Sequence, residues 1–492
     1  MNQSQLVGLD LSDNQIFGVV PNWISNFSIQ YLNLSCNHLK GFEQGYIISN
    51  VIALDLHSNQ LRGEIPIPNK AANYVDFSGN DFSSFIPAEI GNRIAMANFF
   101  SLSDNMFSGP IPPSICNGSS LQILNLSNNR FTGPIPQCLI DTGTTSLAIL
   151  NLQNNQLTGK IMGTFPENCS LWSLELNENL LEGEVPKSLA NCTNIEVLNL
   201  GTNKLNGNFP CFLENLSSLH ILILRSNKLH GNVHCEGLHN NMWPKLQIID
   251  LALNNFGGIL PSKFFSQRKA MMDENNARPH LNYLGFDGLF YYYEDSVIVT
   301  NKGTNMKLVK ILTTFTAIDF SSNNFQGKIP DTIKGLKYLY VLNLSHNALS
   351  DSIPSSLGNL TQLESLDLSW NKLSGSIPVT LASLTFLEFL NLSYNQLVGM
   401  IPRGTQLQSF SETSFEGNKG LCGAPLVVSC NEPEPTPPTL DNTQSDSAED
   451  EKKLVYITAT LGYTVGFGVI VVPLLFSKRW RQCYYKLLGM QN

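Results

Sequence analysis

One leucine- and asparagine-rich motif recurs along most of this 492-residue chain and restricts the folds that it can adopt. Fifteen segments fit the template L-x-x-L-x-L-x-x-N-x-L-x-G-x-I-P, and most follow one another at intervals of 21 to 27 residues. A single copy is too short to bury its own leucines, so neighbouring copies must stack to build a continuous core. We call the segments coils 1–15 and identify them by their asparagines, which are Asn14, Asn37, Asn59, Asn80, Asn105, Asn129, Asn155, Asn179, Asn203, Asn227, Asn254, Asn323, Asn347, Asn371 and Asn395.

The template predicts a leucine-rich-repeat solenoid, a right-handed superhelix of the α/β type with short parallel strands on its concave face. Side chains alternate along a strand, so the leucines are expected to face inward and the residues between them to face solvent. The asparagine amide is expected to turn inward and to satisfy backbone groups of the adjacent coil that water cannot reach.

One interval breaks the repeat, because Asn254 and Asn323 are 69 residues apart. The additional segment, residues 262–314, lacks the template and contains many aromatic and β-branched residues. An insertion of this length is usually functional or disordered, and this composition favours an ordered island. The island either contacts a ligand or only packs on the coils. The predicted organisation is therefore coils 1–11 in residues 1–261, the island in 262–314, coils 12–15 in 315–402, and a cysteine-containing cap in 403–431.

The end of the chain has the pattern of a membrane anchor. Residues 454–476 contain no charge and are long enough to cross the roughly 30 Å hydrocarbon core of a bilayer. An acidic, proline-rich linker (432–453) precedes them and a basic tail (477–492) follows, so the positive-inside rule places the tail in the cytosol and the coils outside. Gly462 and Gly466 form a G-x-x-x-G face that allows close contact between helices. We predict a single-pass type I protein of the plasma membrane.

The start of the chain lacks the pattern of a secretory signal peptide, since Met1–Gln5 lead directly into the first coil. Without such a signal the C-terminal segment could insert as a tail anchor, with the coils in the cytosol. The charges on either side of residues 454–476 argue against that orientation. We therefore expect the sequence to be an N-terminally truncated version of a longer precursor.

Composition and motifs argue against catalysis and nucleic-acid binding. Only 14% of the residues are charged, and the net charge is -9, without any long basic run. No phosphate-binding loop, H-E-x-x-H motif, nucleophile elbow or kinase signature set is present. We predict no catalytic residue, no metal site and no cofactor.

The best sequence indication of a ligand site is a change at one strand position. The residue two before each asparagine is serine in nine of the fifteen coils. Coils 7–11, directly before the island, carry other residues at that position. We therefore hypothesise a ligand site on this patch and the adjoining island, although neutral variation on an exposed face explains the pattern equally well. The candidates are Gln153, Asn177 and Arg225, the neighbouring positions Trp172, Glu175, Glu178, His220 and Ile223, which we expect to be exposed, and the island residues Tyr291, Tyr292, Tyr293 and Asp295.

A second candidate surface lies in the last three coils. His346, Trp370 and Tyr394 directly precede consecutive coil asparagines, so stacking should place their side chains next to one another. Exposed Trp and Tyr are common anchors of protein interfaces. The alternative is that these rings only cover the edges of the coils.

The spacing of ten cysteines predicts disulfides between adjacent coils. Cys422 and Cys430, eight residues apart in the cap, are expected to pair. Cys36 has no evident mate, and Cys483 is a weak candidate for acylation. The remaining expected pairs are Cys211 with Cys235 and, as looser matches, Cys169 with Cys192 and Cys116 with Cys138.

Eleven Asn-x-Ser/Thr sequons occur, which is nearly the number that an Asn- and Ser-rich chain shows by accident. The N-glycosylation candidates are Asn26, Asn117, Asn191 and Asn359.

Several motifs together resemble those of the plant receptor-like proteins with extracellular leucine-rich repeats. The L-x-G-x-I-P form of the repeat, the island motif Tyr292-Tyr293-Glu294-Asp295-Ser296-Val297 and the cap sequence from Gly417 to Leu426, ending at Cys430, carry the resemblance. The sequences of these motifs are most similar to those of the kinase-less subgroup that includes the wilt-resistance receptors.

The resemblance implies a receptor that binds an extracellular peptide, protein or glycan and signals through partner kinases in plant defence. It also implies that a co-receptor kinase meets the membrane-proximal coils and that an adaptor receptor kinase associates through the transmembrane region. Three alternatives stay open: a receptor for a developmental peptide, a secreted inhibitor of wall-degrading enzymes of the polygalacturonase-inhibitor type, and a truncated copy that does not signal.

Overall fold

Fifteen short strands, one from each coil, form a single parallel sheet, which we call the main sheet. Adjacent strands pair in register, so that Leu150 of coil 7 lies between Leu124 of coil 6 and Leu174 of coil 8. The predicted solenoid with parallel strands is thereby confirmed. The strands are Gly8–Asp10, Tyr31–Asn33, Ala53–Asp55, Tyr74–Asp76, Phe99–Ser101, Ile123–Asn125, Ile149–Asn151, Ser173–Glu175, Val197–Asn199, Ile221–Ile223, Ile248–Asp250, Ala317–Asp319, Val341–Asn343, Ser365–Asp367 and Phe389–Asn391.

The structure is a computed structural model, and the residues that it describes belong to the first of the two units of the chain, which ends at Cys430. The described residues are 6–44, 46, 48, 51–66, 68, 72–141, 146–235, 243–266, 268–272, 283–287, 292–404 and 406–430. Among these residues no helix is long and apolar enough to span a bilayer. The predicted linker 432–453, membrane segment 454–476 with Gly462 and Gly466, and tail 477–492 lie outside the described residues.

From coil 2 onward, the coil asparagines connect each coil to the one before it. Asn203 Nδ2 donates hydrogen bonds to the carbonyl oxygen of Leu176 in the preceding coil, at 2.9 Å, and to that of Gly201 in its own coil, at 3.1 Å. Asn203 Oδ1 accepts a hydrogen bond from the backbone N–H of Leu181 at 3.0 Å. Each such side chain therefore satisfies backbone groups that would otherwise be buried without partners.

The cap contains a sixteenth asparagine of this kind. Asn418 Nδ2 donates to the carbonyl oxygen of Leu392 at 2.9 Å, and its Oδ1 accepts from the N–H of Leu397 at 3.0 Å. The cap thus ends the stack as a partial coil, although its sequence departs too far from the template to predict this.

The outer side of the coils differs from the α/β expectation. Most outer segments in the described residues are 3-10 helices, and eight of these ten helices begin directly after a proline, with only about one turn before the next strand. The 3-10 helices are Asn22–Asn26, Pro113–Asn117, Gln137–Leu139, Lys187–Asn191, Cys211–Asn215, Asp331–Gly335, Ser355–Asn359, Val379–Ser383, Leu407–Ser409 and Glu412–Ser414, and the short α-helices are Ile90–Arg93, Ser262–Phe265 and Lys269–Met272.

The residues that follow the asparagines of coils 1, 2 and 5–15 form further parallel sheets beside the main sheet. Nine strands form the largest: Ser108–Pro110, Arg130–Gly133, Gln156–Lys160, Leu180–Gly183, Lys204–Asn208, Lys228–Asn232, Asn255–Ile259, Asn324–Gly327 and Ala348–Leu349. Two smaller sheets pair Phe17–Val20 with His38–Phe42, and Gln396–Met400 with both Ser374–Gly375 and Gly420–Cys422.

Four disulfides reinforce the stack. Three join adjacent coils across sequence separations of 22 to 24 residues, and the fourth closes the cap between Cys422 and Cys430. Within the described part of the chain, Cys36 is the free cysteine. The inter-coil pairs are Cys116–Cys138, Cys169–Cys192 and Cys211–Cys235, the same pairs that the spacing predicts.

Candidate functional site

The island contributes two small antiparallel sheets. Phe286–Asp287 pairs with Tyr292–Tyr293, and Val297–Asn301 pairs with Thr304–Leu308. We call the second pair the island hairpin. Its two-residue turn includes Gly303, whose φ of +73° is readily adopted only by residues such as glycine.

The island hairpin packs against the outward-facing side of the main sheet. Val297 and Val299 lie in a buried apolar cluster with Ile221 and Ile223 of coil 10. Burying such side chains stabilises the contact by about 1.5–3 kcal/mol each. The other members of the cluster are Leu284 and Ile311 from the island segment and Val197, Ile248, Ala317 and Val341 from coils 9 and 11–13.

Polar contacts attach the base of the island to coils 7 and 8. The hydroxyl of Ser173 donates to Asp295 Oδ1 at 2.7 Å, and Asn151 Nδ2 donates to the hydroxyl oxygen of Tyr293 at 2.9 Å. Glu175 and Asp295 are both completely buried. Burial, together with the nearby charge of Asp295, raises the pKa of Glu175 well above its ordinary value. Glu175 therefore keeps its proton at pH values where an exposed glutamate is ionised.

The turn of the island hairpin attaches to coils 14 and 15. The backbone N–H of Lys302 donates to Ser365 Oγ at 3.2 Å. Its Nζ forms ion pairs with Glu364, at 3.5 Å, and with Glu388. The island is therefore fixed at both ends and extends along the main sheet from coil 7 to coil 15.

A cavity of about 460 Å³ lies between the island hairpin and coils 6–11. Its walls are mainly amide and hydroxyl side chains, with cationic groups from Arg225 and Lys307. Arg225 Nη1 contacts Asp250 at 3.0 Å and Thr300 Oγ1 at 3.2 Å, which fixes the guanidinium at one wall. Burial and the charge of Asp319 raise the pKa of Asp250 to about 7. Because Glu178 also lines the cavity, its walls carry both charge signs, and they suit a ligand that is rich in hydrogen-bonding groups.

Five predicted ligand residues line this cavity. They are Gln153, Asn177, Glu178, Ile223 and Arg225. From the island, Ser296, Ile298, Asn305 and Lys307 complete it.

Three other predicted ligand residues of the coils, Trp172, Glu175 and His220, do not line the cavity. The expected exposure of Glu175 and Ile223 is wrong, since they are 0% and 2% exposed, because the island covers this part of the main sheet. Trp172 and His220 are half-buried, the first against Phe286 at a ring-centroid distance of 6.0 Å and the second with Nδ1 3.5 Å from a Glu196 oxygen.

The island residues of the ligand hypothesis also hold the island in place. Tyr293 and Asp295 make the buried contacts with coils 7 and 8 and do not line the cavity. Tyr292 pairs through its backbone with Asp287, and Tyr291 lies outside the described residues.

The sequence-based hypothesis missed Asn151, Ser173, Lys302 and Lys307. A signal for island docking was present in the sequence, because coils 9–11 carry Val197, Ile221, Ile223 and Ile248 at strand positions that the template assigns to solvent.

The three aromatic residues of coils 13–15 form a continuous stack. Ring centroids are 5.5 Å apart for His346 and Trp370 and 4.1 Å apart for Trp370 and Tyr394, with interplanar angles of 11° and 17°. Trp370 is 49% exposed. All three residues have φ values of +52° to +53°, a conformation that bulky residues rarely adopt. The stack therefore presents ring edges to solvent from a strained backbone.

The glycosylation candidates lie on the outer side of the coils. Asn117 and Asn359 are exposed at the ends of 3-10 helices, whereas half-buried Asn191 donates from Nδ2 to the carbonyl oxygen of Phe165 at 2.9 Å. The side chain of Asn26 lies outside the described residues.

One group of at least three metal-ligand side chains comes together in the described residues. Asp55, His57 and Asp76 place ligand atoms within 4.8 Å of one another on coils 3 and 4.

Comparisons with known proteins agree with this architecture. A family model for "Leucine rich repeat" matches residues 313–373 and 338–397, and a second leucine-rich-repeat model matches 5–27, 120–141 and 146–168. Receptor-like protein 7 of Arabidopsis thaliana is 50% identical over 494 residues, covering 98% of this chain and 48% of that protein. Receptor-like protein 33 of the same plant is 40% identical over 496 residues, covering 100% of this chain and 50% of that protein. The chain thus spans about half the length of these curated relatives.

A solved structure is similar over most of the chain. The plant peptide hormone receptor RGFR1 in complex with RGF2 has a TM-score of 0.66 and 25% sequence identity. The similarity covers 85% of this chain and 64% of that one.

Proposed function

This chain belongs to the plant leucine-rich-repeat receptor-like proteins, and we propose that it is a cell-surface receptor that binds an extracellular ligand in the cavity beneath the island hairpin. Its role is recognition and not catalysis. The ligand is a peptide, a segment of a protein or a glycan.

The observation that carries the proposal is the cavity of about 460 Å³ between coils 6–11 and the island hairpin. Asn and Gln amides can bond to peptide backbone groups or to sugar hydroxyls, and Arg225 and Lys307 can bond to an anionic group. A peptide is the favoured class, because the similar receptor RGFR1 forms a complex with a peptide hormone, RGF2. The docked island also supports a binding role for the cavity, because residues from this separate part of the chain form one of its walls.

The other parts of the proposal follow from the resemblance and from the sequence. Residues 454–476 anchor the receptor as a single-pass type I protein of the plasma membrane, with the coils outside, the linker 432–453 next to the membrane and the tail 477–492 in the cytosol. An adaptor receptor kinase associates with Gly462 and Gly466. A co-receptor kinase contacts His346, Trp370 and Tyr394, and kinase activation serves plant defence.

A binding experiment with the full chain tests the cavity. The purified protein is incubated with a pool of synthetic peptides and, separately, with a pool of plant cell-wall oligosaccharides, and retained molecules are identified by mass spectrometry. In the variant Gln153→Trp, an indole fills part of the cavity, so retention should fall at least about tenfold. Ser78→Trp is the matched control, because Ser78 occupies the same template position in coil 4.

Equal retention by the parent and Gln153→Trp would place the ligand elsewhere. Failure of both pools to bind would contradict the proposed ligand classes. Circular dichroism of each variant verifies that the coils remain folded.

A further inference from the structure

The first residues of the main-sheet strands form a row on the outward-facing side of the sheet. In coils 9–13 this row is apolar, and the island hairpin packs on it. In coils 2–5 the row consists of Tyr31, Ala53, Tyr74 and Phe99, which pair in register. A cavity of about 640 Å³ lies over this second part of the row, and its described lining residues all come from coils 1–5. A surface of the kind that holds the island therefore lies open in the first coils.

Tyr31 and Tyr74 bound a slot above Ala53, which we call the tyrosine slot. The register places the two tyrosines two strands apart, which corresponds to about 10 Å. One face of the Tyr74 ring is stacked on Phe99, with ring centroids 4.5 Å apart and an interplanar angle of 15°. Its opposite face is directed toward coil 3, where Ala53 carries only a methyl group. Tyr31 is 53% exposed. The slot therefore has room for one planar group between the two tyrosines.

Carboxylate and amide groups lie beside the tyrosine slot. Asp10, Asn33 and Asp55 occupy the third position of three adjacent strands and line the same cavity. Its described lining residues include no lysine and no arginine. Asp55 Oδ1 accepts from the backbone N–H of His57 at 3.1 Å and lies 2.7 Å from His57 Nδ1, whereas Oδ2 receives no hydrogen bond from the described part of the chain. The electrostatics of the cavity therefore favour a cationic group that has several donors.

An arginine side chain meets the requirements of both shape and charge. Its guanidinium is planar and stacks on aromatic faces, and a cation within about 6 Å of a ring centroid is attracted by the ring. Its N–H groups bond to a carboxylate through parallel hydrogen bonds. A lysine ammonium is not planar, and a neutral sugar ring carries no charge.

We propose that the tyrosine slot binds an arginine side chain from a peptide segment of a partner protein. The guanidinium stacks between Tyr31 and Tyr74 and donates hydrogen bonds to Asp55, while Ala53 sets the width of the slot. The site is separate from the ligand cavity beneath the island hairpin, which is lined by coils 6–11. It gives the coils a second surface for partner binding, and the proposal does not depend on which ligand occupies the first.

Three pools of synthetic peptides test the proposal on the full chain. The pools have the same random flanking positions, without arginine or lysine, and differ at one fixed central position, which is arginine, citrulline or lysine. Peptides retained by the immobilised protein are quantified by mass spectrometry. The arginine pool should be retained at least about tenfold better than the citrulline pool, because citrulline has nearly the same shape without the charge. The lysine pool should be retained less well than the arginine pool, because an ammonium does not stack as a plane.

Variants assign the retention to the tyrosine slot. Tyr31→Ala removes one wall, Ala53→Trp fills the slot with an indole, and Asp55→Asn removes the carboxylate. Each should lower retention of the arginine pool at least about tenfold. Asp367→Asn is the matched control for Asp55→Asn, because Asp367 occupies the same strand position in coil 14 and also accepts the backbone N–H two residues later, that of Ser369. This control should retain arginine peptides as the parent does.

Equal retention of the arginine and citrulline pools by the parent would overturn the proposal, and this comparison does not depend on the folding of any variant. Unchanged retention by Tyr31→Ala and Asp55→Asn would also overturn it. Gln153→Trp, which fills part of the ligand cavity, should retain the arginine pool as the parent does. A loss in Gln153→Trp would place the arginine in the ligand cavity, which would refute the tyrosine slot and leave the proposed function intact.

Discussion

The hydroxyl of Ser173 donates a 2.7 Å hydrogen bond to the carboxylate of Asp295, which follows it by 122 residues. This buried contact connects coil 8 to the base of the island. Since Asp295 is 0% exposed, its oxygen atoms cannot exchange this partner for water without the island moving away. The contact therefore reports directly on island docking.

Ser173→Ala should weaken docking of the island. Loss of the donor leaves Asp295 with fewer partners in a buried position, which costs about 1–3 kcal/mol. We expect faster hydrogen exchange at the backbone amides of the island hairpin, Val297–Leu308, measured by mass spectrometry. Ser127→Ala is the control, because Ser127 is a buried serine in coil 6. In this variant the hydrogen-exchange rates of the island hairpin should equal those of the parent. Unchanged exchange in Ser173→Ala would show that this bond does not hold the island.

Island docking should weaken as the pH rises. The pKa of Glu175 is raised by burial and by Asp295, and the pKa of Asp250 is raised from 3.8 to about 7 by burial and by Asp319. The docked state therefore binds more protons than the undocked state. Its stability is fully present below the ordinary pKa values of these groups and is lost as the pH rises through the raised values.

Hydrogen exchange in the island hairpin at pH 5 and pH 8, corrected for the intrinsic effect of pH, measures this dependence. Glu175→Gln carries no charge at either pH, so the difference between the two pH values should shrink in this variant. Glu64→Gln, a change at an exposed glutamate of coil 3, should leave the difference as in the parent. Protection that increases with pH in the parent would contradict the assignment.

The coil asparagines should differ in their contribution to stability according to their position in the stack. Asn203→Ala removes hydrogen bonds to Leu176, Leu200 and Gly201 and from Leu181, so we expect a loss of at least about 3 kcal/mol in the free energy of unfolding. Asn14 is exposed and bonds to carbonyl oxygens of its own coil, so Asn14→Ala should cost about 1 kcal/mol or less. Urea unfolding followed by circular dichroism compares the two. Equal losses would contradict the role of the inter-coil bonds.

Trp370→Gly separates a structural role of the aromatic stack from a binding role. Glycine relieves the left-handed backbone, whereas loss of the ring removes stacking with Tyr394 worth about 0.5–1.5 kcal/mol. These two effects on stability nearly offset each other, so the midpoint temperature of thermal unfolding should change little. If the stack contacts a co-receptor kinase, capture of the kinase ectodomain should fall at least about tenfold.

Ser322→Gly, at the same template position in coil 12 with a φ of +52°, is the matched control for Trp370→Gly. The Ser322→Gly variant should capture the kinase ectodomain as well as the parent does. A large drop in thermal stability with normal capture would assign the rings to the edges of the coils alone.

The repeated part of this protein could be predicted because each coil has the same local requirements. A coil must place Leu366 and Leu368 inside and must satisfy its buried backbone groups with an asparagine such as Asn371, so the template determines the number, register and direction of the strands. The disulfide pairs follow from the same constant spacing. The outer side differs from the α/β expectation, because the proline that precedes most outer segments leaves room for only about one turn of 3-10 helix before the next strand.

The island and the ligand cavity depended on the tertiary structure. Glu175 and Ile223 occupy template positions that face solvent, and they are buried only because a segment with no counterpart in other coils packs on them. Contacts such as Ser173 with Asp295 and Lys302 with Glu388 join residues 122 and 86 positions apart, and no periodicity relates them. Sequence alone therefore determined the stack, whose order is local and repeated. The position of the island required the three-dimensional complementarity of surfaces from distant parts of the chain.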